Sequence, residues 1–151
     1  MLQFHVQGEA GTTVTIGFIR DGKNIALKIT REKVASTVYG EMMGEIAYLQ
    51  LYQFGSSTPE EVKSYLDDFE DAKGLIIDLR DNGGGMVVSC QQMLDMILPE
   101  GTVVYTEDKY GNRQDYTSDA EHYLDMPIAV LVNGNSASAS EIFAGAIQDN
   151  D

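Results

Sequence analysis

Residues 132–146 read VNGNSASASEIFAGA, and the fold of the chain can be worked outward from this stretch. The residues before it, 127–131, form an apolar run rich in β-branched side chains, which predicts a buried strand. After it, Ile142, Ala146 and Ile147 recur at helical spacing. The pattern therefore predicts a strand, a turn of small residues and a helix. Such a turn presents a hydroxyl at the start of a helix, where unpaired backbone N–H groups point outward.

The serines at positions 136, 138 and 140 have two interpretations. Alanines stand between them, so a substrate backbone can approach one exposed hydroxyl while the other two cap or pack. Serine is also a favoured N-cap residue, so the same run is typical of an ordinary helix start. This segment, residues 133–140, is called the serine turn below, and its sequence alone leaves both interpretations open.

Composition and charge exclude several classes of partner. The chain has 151 residues and 43% hydrophobic side chains, enough for one domain, or one domain and part of another. Its net charge of −14, without a basic stripe, argues against nucleic acid or an anionic membrane surface as a partner. The longest apolar runs are too short to span a bilayer, and no signal peptide is visible.

The cysteine and histidine content predicts neither a disulfide nor a metal site. Cys90 is the single cysteine, so it cannot form an internal disulfide, and its apolar neighbours indicate a small core residue on a helix. His5 and His122 cannot form a usual zinc site by themselves, and no HExxH or CxxC motif accompanies them. We therefore expect no metal and no cofactor.

Two alternating runs near the N-terminus predict a β-hairpin. Residues 12–19 and 24–30 alternate in character, and the Asp21-Gly22 pair between them is a strong signal for a hairpin turn. Two strands alone are marginally stable in water, so we expect this hairpin to be the end of a larger β-rich module. Residues 31–43 carry charged and small side chains and are interpreted as a linker.

From residue 45 onward the pattern predicts an α/β layer arrangement. We expect strands at 45–52, 75–80, 102–106, 113–117 and 127–132, and helices beginning at Thr58, at Met86 and in the serine turn. Thr58 is the expected N-cap of its helix, with Glu61 closing a capping box. Large side chains on both faces of the first strand predict layers on both sides of the sheet. The last helix has no stop signal before Asp151, so we expect the domain to continue.

A second loop of small residues follows the strand at 75–80. Residues 81–85, Asp-Asn-Gly-Gly-Gly, are called the glycine loop below. A loop between a strand and a helix brings backbone N–H groups close to an anion or an oxyanion. Both this loop and the serine turn follow apolar strands, so both are expected at the same edge of one parallel sheet. A nucleophile beside oxyanion donors indicates acyl-transfer chemistry.

Four segments resemble the C-terminal (tail-specific) processing proteases, the S41 serine peptidases. Residues 73–85, KGLIIDLRDNGGG, are similar to that family's KGLILDLRxNPGG signature, and residues 136–149 resemble its nucleophile segment. Residues 99–116 resemble its LPxGxVVYTxDxxG hairpin, and residues 8–31 resemble the second half of its PDZ domain. The resemblance implies an α/β fold: a layered crotonase/ClpP-like protease core, truncated, at 36–151, preceded by the C-terminal half of a PDZ-like β module at 1–35.

The resemblance also implies a mechanism and a setting. Ser138 corresponds to the family's nucleophile, and the backbone N–H of Ala139 with that of Gly83 or Gly84 resembles its oxyanion hole. The family's general base is a lysine located beyond Asp151, so this polypeptide by itself is expected to be inactive. Family substrates are proteins cleaved near their C-termini, and the family generally works outside the cytoplasm. The open sheet edges of such a fragment predict self-association or exchange of elements.

Three alternatives stay open on the sequence. A non-catalytic peptide- or ligand-binding protein could have the same fold. His122 could be the base of a Ser-His-Asp triad, although its polar surroundings are typical of a surface residue. A crotonase-like acyl-CoA enzyme shares the layered architecture, but no acid or base is placed to support it.

Overall fold

The computed structural model describes residue 6 and residues 8–32, 35–119, 121 and 124–150. The chain folds into two compact units, Met1–Ala35 and Ser36–Asp151. Each unit is described by itself below.

The first unit contains the predicted β-hairpin. Strand β1, Thr13–Arg20, pairs antiparallel with β2, Lys23–Thr30. The two residues between them, Asp21 and Gly22, both have positive φ, 51° and 72°. Positive φ values at both central residues are characteristic of a type I′ turn, whose twist matches that of the paired strands. Asp-Gly is one of the preferred pairs for this turn. The hairpin prediction is confirmed.

The second unit is built on a four-stranded sheet in the order β3-β4-β5-β8. Strand β3 is antiparallel to β4, while β5 and β8 run parallel to β4. A separate antiparallel hairpin consists of β6 and β7. The bounds are β3 Val38–Met43, β4 Ile46–Leu51, β5 Gly74–Asp78, β6 Gly101–Glu107, β7 Arg113–Ser118 and β8 Ile128–Leu131.

Strand β3 was not expected, because residues 31–43 had the composition of a linker. That interpretation is wrong for residues 38–43, which pair along their whole length with β4. Gly40 weakened the strand pattern, but the structure requires a small residue there, since a Cβ atom would lie 2.6 Å from the ring of Tyr65. The turn to β4 contains Gly44 at φ +69°.

The described part of the second unit also contains three helices: α1, Thr58–Asp68; α2, Val87–Ile97; and α3, Ala139–Asp149. The order from β4 onward is strand, helix, strand, helix, three strands and a helix, as predicted. Helix α3 ends at Asp149, with Asn150 as its C-cap.

The start of α1 differs from the prediction by one residue. Ser57, rather than Thr58, is the N-cap, and its hydroxyl donates to a carboxylate oxygen of Glu61 at 2.7 Å. Thr58 is fully buried, where its hydroxyl oxygen accepts a hydrogen bond from the N–H of Gly55 at 2.8 Å. The Thr58 hydroxyl also lies 2.7 Å from the hydroxyl of Thr37, a long-range contact that sequence alone does not distinguish from capping.

The helices pack on one face of the sheet. Alternate residues of β4 and β5 point into a single apolar cluster that also contains side chains of all three helices, including Val62, Met93 and Phe143. On the other face Tyr48 and Ile76 are only half-buried. The predicted second layer is therefore missing from the ranges that the structure describes. None of the helices in these ranges has the length and apolar character needed to cross a bilayer.

Candidate active site

The glycine loop and the serine turn emerge at the same edge of the sheet. They follow β5 and β8, which are adjacent parallel strands paired from Leu75 with Ile128 to Asp78 with Leu131. The carboxyl ends of neighbouring parallel strands meet at one edge, which is where sites form in open α/β sheets. The prediction that the two loops share an edge is confirmed.

The two loops touch at Gly84. This residue has φ +100°, and a Cβ atom added to it would lie 2.7 Å from the carbonyl oxygen of Ala137. The same atom would lie 2.8 Å from Cβ of Ser138 and 2.9 Å from the amide nitrogen of Ala139. No side chain fits between the loops, so glycine is required both by the backbone conformation and by the close approach.

Ser138 lies on a strained turn at the N-terminus of α3. Its backbone has φ 56° and ψ −117°, a conformation that residues other than glycine rarely adopt, and its side chain is exposed. The carboxylate of Glu141 accepts a hydrogen bond from the Ser138 N–H at 2.7 Å, and the Ser138 carbonyl accepts one from the Glu141 N–H at 2.9 Å. A strained serine between a strand and a helix is typical of a presented nucleophile.

The backbone amides of the two loops differ in whether they already have an acceptor. Ala139 is the first residue of α3, and within the described ranges its N–H has no acceptor. The N–H of Gly84 donates to the side-chain oxygen of Asn82 at 2.9 Å and is engaged inside the loop. Among the described residues the amides of Gly83 and Gly85 have no acceptor.

Asn82 is a functional residue that the sequence did not reveal. It is fully buried, its amide group donates to the carbonyl of Leu51 at 2.9 Å, and its side-chain oxygen holds Gly84. Its own carbonyl accepts from the Ser140 hydroxyl at 2.9 Å and from the N–H of Ala137 at 3.2 Å. One residue therefore ties β4, the glycine loop and the serine turn together. An asparagine beside glycines predicts only a turn, so no local signal identifies this role.

A second, exposed network joins the same two segments. One carboxylate oxygen of Asp81 accepts from the side-chain amides of Asn135 at 2.7 Å and Asn133 at 3.0 Å. The N–H of Asp81 donates back to the side-chain oxygen of Asn133 at 3.0 Å. The amides of Asn135 and Asn133 hold the pKa of the Asp81 carboxyl below its usual value. The hydroxyl of Ser136 adds a bond of 2.7 Å to the Leu79 carbonyl.

Asp78 and Arg80 form an ion pair under the site. The Asp78 side chain is fully buried and accepts from the Arg80 guanidinium at 2.6 Å and from the Tyr48 hydroxyl at 2.7 Å. The hydrogen bonds from Arg80 lower the pKa of Asp78 to about 2, against the opposing effect of burial. With these partners occupied, the carboxylate has a structural role.

Among the described residues, the other titratable candidates add no catalytic group to this edge. Cys90 is fully buried, its thiol lies 3.4 Å from the Ala139 carbonyl, and burial raises its pKa to about 12, which confirms the predicted core residue. His5 and His122 lie outside the described residues, so the triad alternative is not tested by the structure. Within the described ranges no three His, Cys, Asp or Glu side chains are grouped to hold a metal ion.

The geometry defines a class: an α/β protein that presents a serine hydroxyl beside free backbone amides. The model of peptidase family S41 matches residues 45–151. The chain belongs to peptidase family S41.

Curated relatives and a solved structure agree with this family. The chain is 38% identical to the carboxyl-terminal-processing protease of Synechocystis sp. and 34% identical to the carboxy-terminal processing protease CtpA of Bacillus subtilis. These alignments cover 93% and 96% of this chain but 33% and 32% of the relatives, so the chain spans about a third of their length. The photosystem II D1 C-terminal processing protease superposes with a TM-score of 0.70 at 29% identity, covering 94% of this chain and 42% of that one.

Proposed function

We propose that the whole protein is a serine endopeptidase of the C-terminal processing type, with Ser138 as its nucleophile. The observation that carries the proposal is the strained, exposed Ser138 in direct contact with Gly84 of the glycine loop. Backbone strain of this kind is found mainly at functional sites, and the presentation of a nucleophile is one such function.

The chemistry follows from the groups at this edge. The Ser138 oxygen attacks the substrate carbonyl carbon, and the carbonyl oxygen becomes negatively charged in the tetrahedral intermediate. The amide of Ala139 and one amide of the glycine loop, residues 83–85, stabilise that charge. The hydroxyl proton passes to a base and then to the leaving amine. We assign the base to a neutral lysine located after Asp151, so residues 1–151 alone have no turnover.

The substrate assignment extends the same proposal. Residues 36–151 are part of the protease core, and residues 1–35 are the C-terminal part of a PDZ-like domain. We propose protein substrates cleaved near their C-termini, with the PDZ-like domain holding the substrate carboxylate and an added strand. The protein acts outside the cytoplasm. Because β3 and β8 are the edges of the main sheet, this chain by itself self-associates or exchanges elements through them.

The test compares matched serine variants of the whole protein on a fluorogenic peptide with a free C-terminus. Ser138→Ala should lower kcat by about a thousandfold or more, as removal of a nucleophile does in serine proteases. Ser56→Ala is the control, since Ser56 is an exposed loop serine outside the site, and it should leave kcat unchanged. His122→Ala should also retain full turnover.

Other outcomes would redirect the assignment. Turnover that persists in Ser138→Ala refutes the nucleophile. Full loss in His122→Ala favours the triad alternative. A wild-type protein that binds the peptide without cleaving it is a binding protein on the same fold.

A further inference from the structure

A groove of about 470 Å³ lies between β6 and α3, beginning beside the serine turn. Val103 and Tyr105 line one wall, and α3 forms the other from Glu141 to Asp149. Glu141 also accepts the hydrogen bond from the Ser138 N–H, so the groove starts at the candidate nucleophile and leads away from it. The sequence alone did not predict this groove, because its walls are distant in the chain.

Gly145 keeps this groove open. It lies inside α3, where a glycine destabilises a helix by about 1 kcal/mol relative to alanine. A Cβ atom at Gly145 would meet no atom within 4 Å, so packing among the described residues does not explain the glycine. Gly145 and the half-buried Ile142 line the groove together, and a larger side chain at 145 would occupy its space.

Two carboxylates line the groove. The carboxylates of Glu141 and Asp149 lie along it, and the cation among its lining residues, Arg113, is already paired. The Arg113 Nε donates to Asp115 at 2.9 Å, and its guanidinium lies over the Tyr105 ring at 3.9 Å from the centroid. Apolar walls, with carboxylates that no cation of the described ranges neutralises, complement an apolar side chain followed by a cationic one.

We propose that the groove binds an extended segment of the substrate polypeptide, with an apolar side chain at Gly145 and a lysine or arginine at Asp149. This inference rests on the proposed function and names a specificity subsite for it. Gly145 is seven helical residues from Ser138, about 10 Å, or about three residues of extended chain. Asp149 is about 16 Å away, or about five residues. The apolar residue is therefore the third from the scissile bond and the basic residue the fifth.

Fluorescence anisotropy on the whole protein tests the apolar part. The Ser138→Ala background prevents turnover, and labelled 14-residue peptides carry leucine and lysine at the third and fifth positions on either side of the cleavage point. Gly145→Leu should weaken binding at least tenfold, because the side chain fills the groove. Gly145→Ala is the matched control. It should bind the peptide with an affinity within twofold of that of the Ser138→Ala protein, and helix α3 should be more stable.

Asp149→Asn tests whether the Asp149 carboxylate binds the basic residue of the substrate. It also keeps the proposal testable if Gly145→Leu does not fold. Replacing the lysine of the peptide by norleucine should weaken binding about fivefold in the parent and not at all in Asp149→Asn. Unchanged binding in folded Gly145→Leu, or an unchanged lysine preference in Asp149→Asn, overturns the proposal. Unchanged peptide binding together with a lower Tm of Gly145→Leu would mean that another segment of the same protein fills the groove, which also overturns it.

A short ester substrate separates this proposal from the function on which it rests. Such an ester reaches Ser138 without extending along the groove, so the wild-type protein should hydrolyse it and Ser138→Ala should not. Absence of ester hydrolysis in the wild type refutes the serine chemistry, while the peptide measurements still test the groove.

Discussion

Replacing Gly84 by alanine tests whether contact between the two loops sets the catalytic geometry. Alanine at φ +100° costs about 1–2 kcal/mol of backbone strain. Its Cβ atom would also lie 2.7 Å from the Ala137 carbonyl oxygen and 2.8 Å from Cβ of Ser138. Ordinary contacts to a Cβ atom begin at 3.4 Å, so the serine turn must retreat by roughly 0.5–1 Å.

Such a displacement predicts a large catalytic effect with a modest effect on stability. A misplacement of about 1 Å lowers turnover by about a hundredfold, because the attacking oxygen and the oxyanion donors lose their alignment. We expect kcat/KM of Gly84→Ala to fall by about that factor in the whole protein. The free energy of unfolding should fall by only about 1–3 kcal/mol, so the variant remains folded at 25 °C.

The control is Gly134→Ala, in the serine turn itself. A Cβ atom added at Gly134 would meet no atom within 4 Å, and the residue does not have a positive φ, so alanine fits there. The measurements are kcat/KM on the fluorogenic peptide and urea unfolding of both variants. A Gly84→Ala protein with wild-type kcat/KM would show that the observed contact does not govern catalysis, and the reasoning would be refuted.

Two further predictions concern Asp81, the first residue of the glycine loop, and Asp78, the last residue of the strand before it. Asp81→Ala removes the carboxylate that accepts hydrogen bonds from Asn133 and Asn135, so the serine turn is held less precisely and kcat should fall about tenfold. KM should change little, because alanine introduces no steric clash. Asp81→Asn tolerates the positive φ of 62° and should recover part of the loss; equal kinetics in all three proteins would contradict this role. For Asp78, a pKa of about 2 in the folded state against about 4 unfolded contributes about 2 kcal/mol above pH 4, lost as the pH falls toward 2. Asp78→Asn should remove that dependence from urea unfolding at pH 7, 4 and 2.5, and an unaltered profile would argue against it.

Much of the fold could be predicted because its signals are local. The Asp21-Gly22 pair sets its own turn type, and helix α2 follows from apolar residues at helical spacing. Strand β3 could not be predicted, since Gly40 removes the alternation that identifies strands. Its glycine is explained by the ring of Tyr65 and the side chain of Leu49, both from other elements, and such contacts leave no local signal.

The site shows the same division between local and distant causes. The serine turn and the glycine loop could be located because each follows an apolar strand, whereas the choice of Ser138 among the three serines rested on the family resemblance. Which glycine N–H is free to act as an oxyanion donor could not be predicted. The answer depends on Asn82, whose side-chain oxygen accepts the N–H of Gly84. Burial of Asn82 results from β4 and the serine turn closing over it, and neither is near it in the chain.

The two networks around the glycine loop explain how a strained serine is maintained. Asn82 fixes the serine turn from the buried side and Asp81 from the exposed side, and both lie in the loop that follows β5. Adjacent parallel strands thereby set the position of the hydroxyl and of the amide donors without any contribution from a base. In this architecture the placement of the nucleophile and its activation are separable. A variant such as Gly84→Ala should therefore lower turnover even where the base is fully supplied, whereas loss of the base should leave the loop geometry intact.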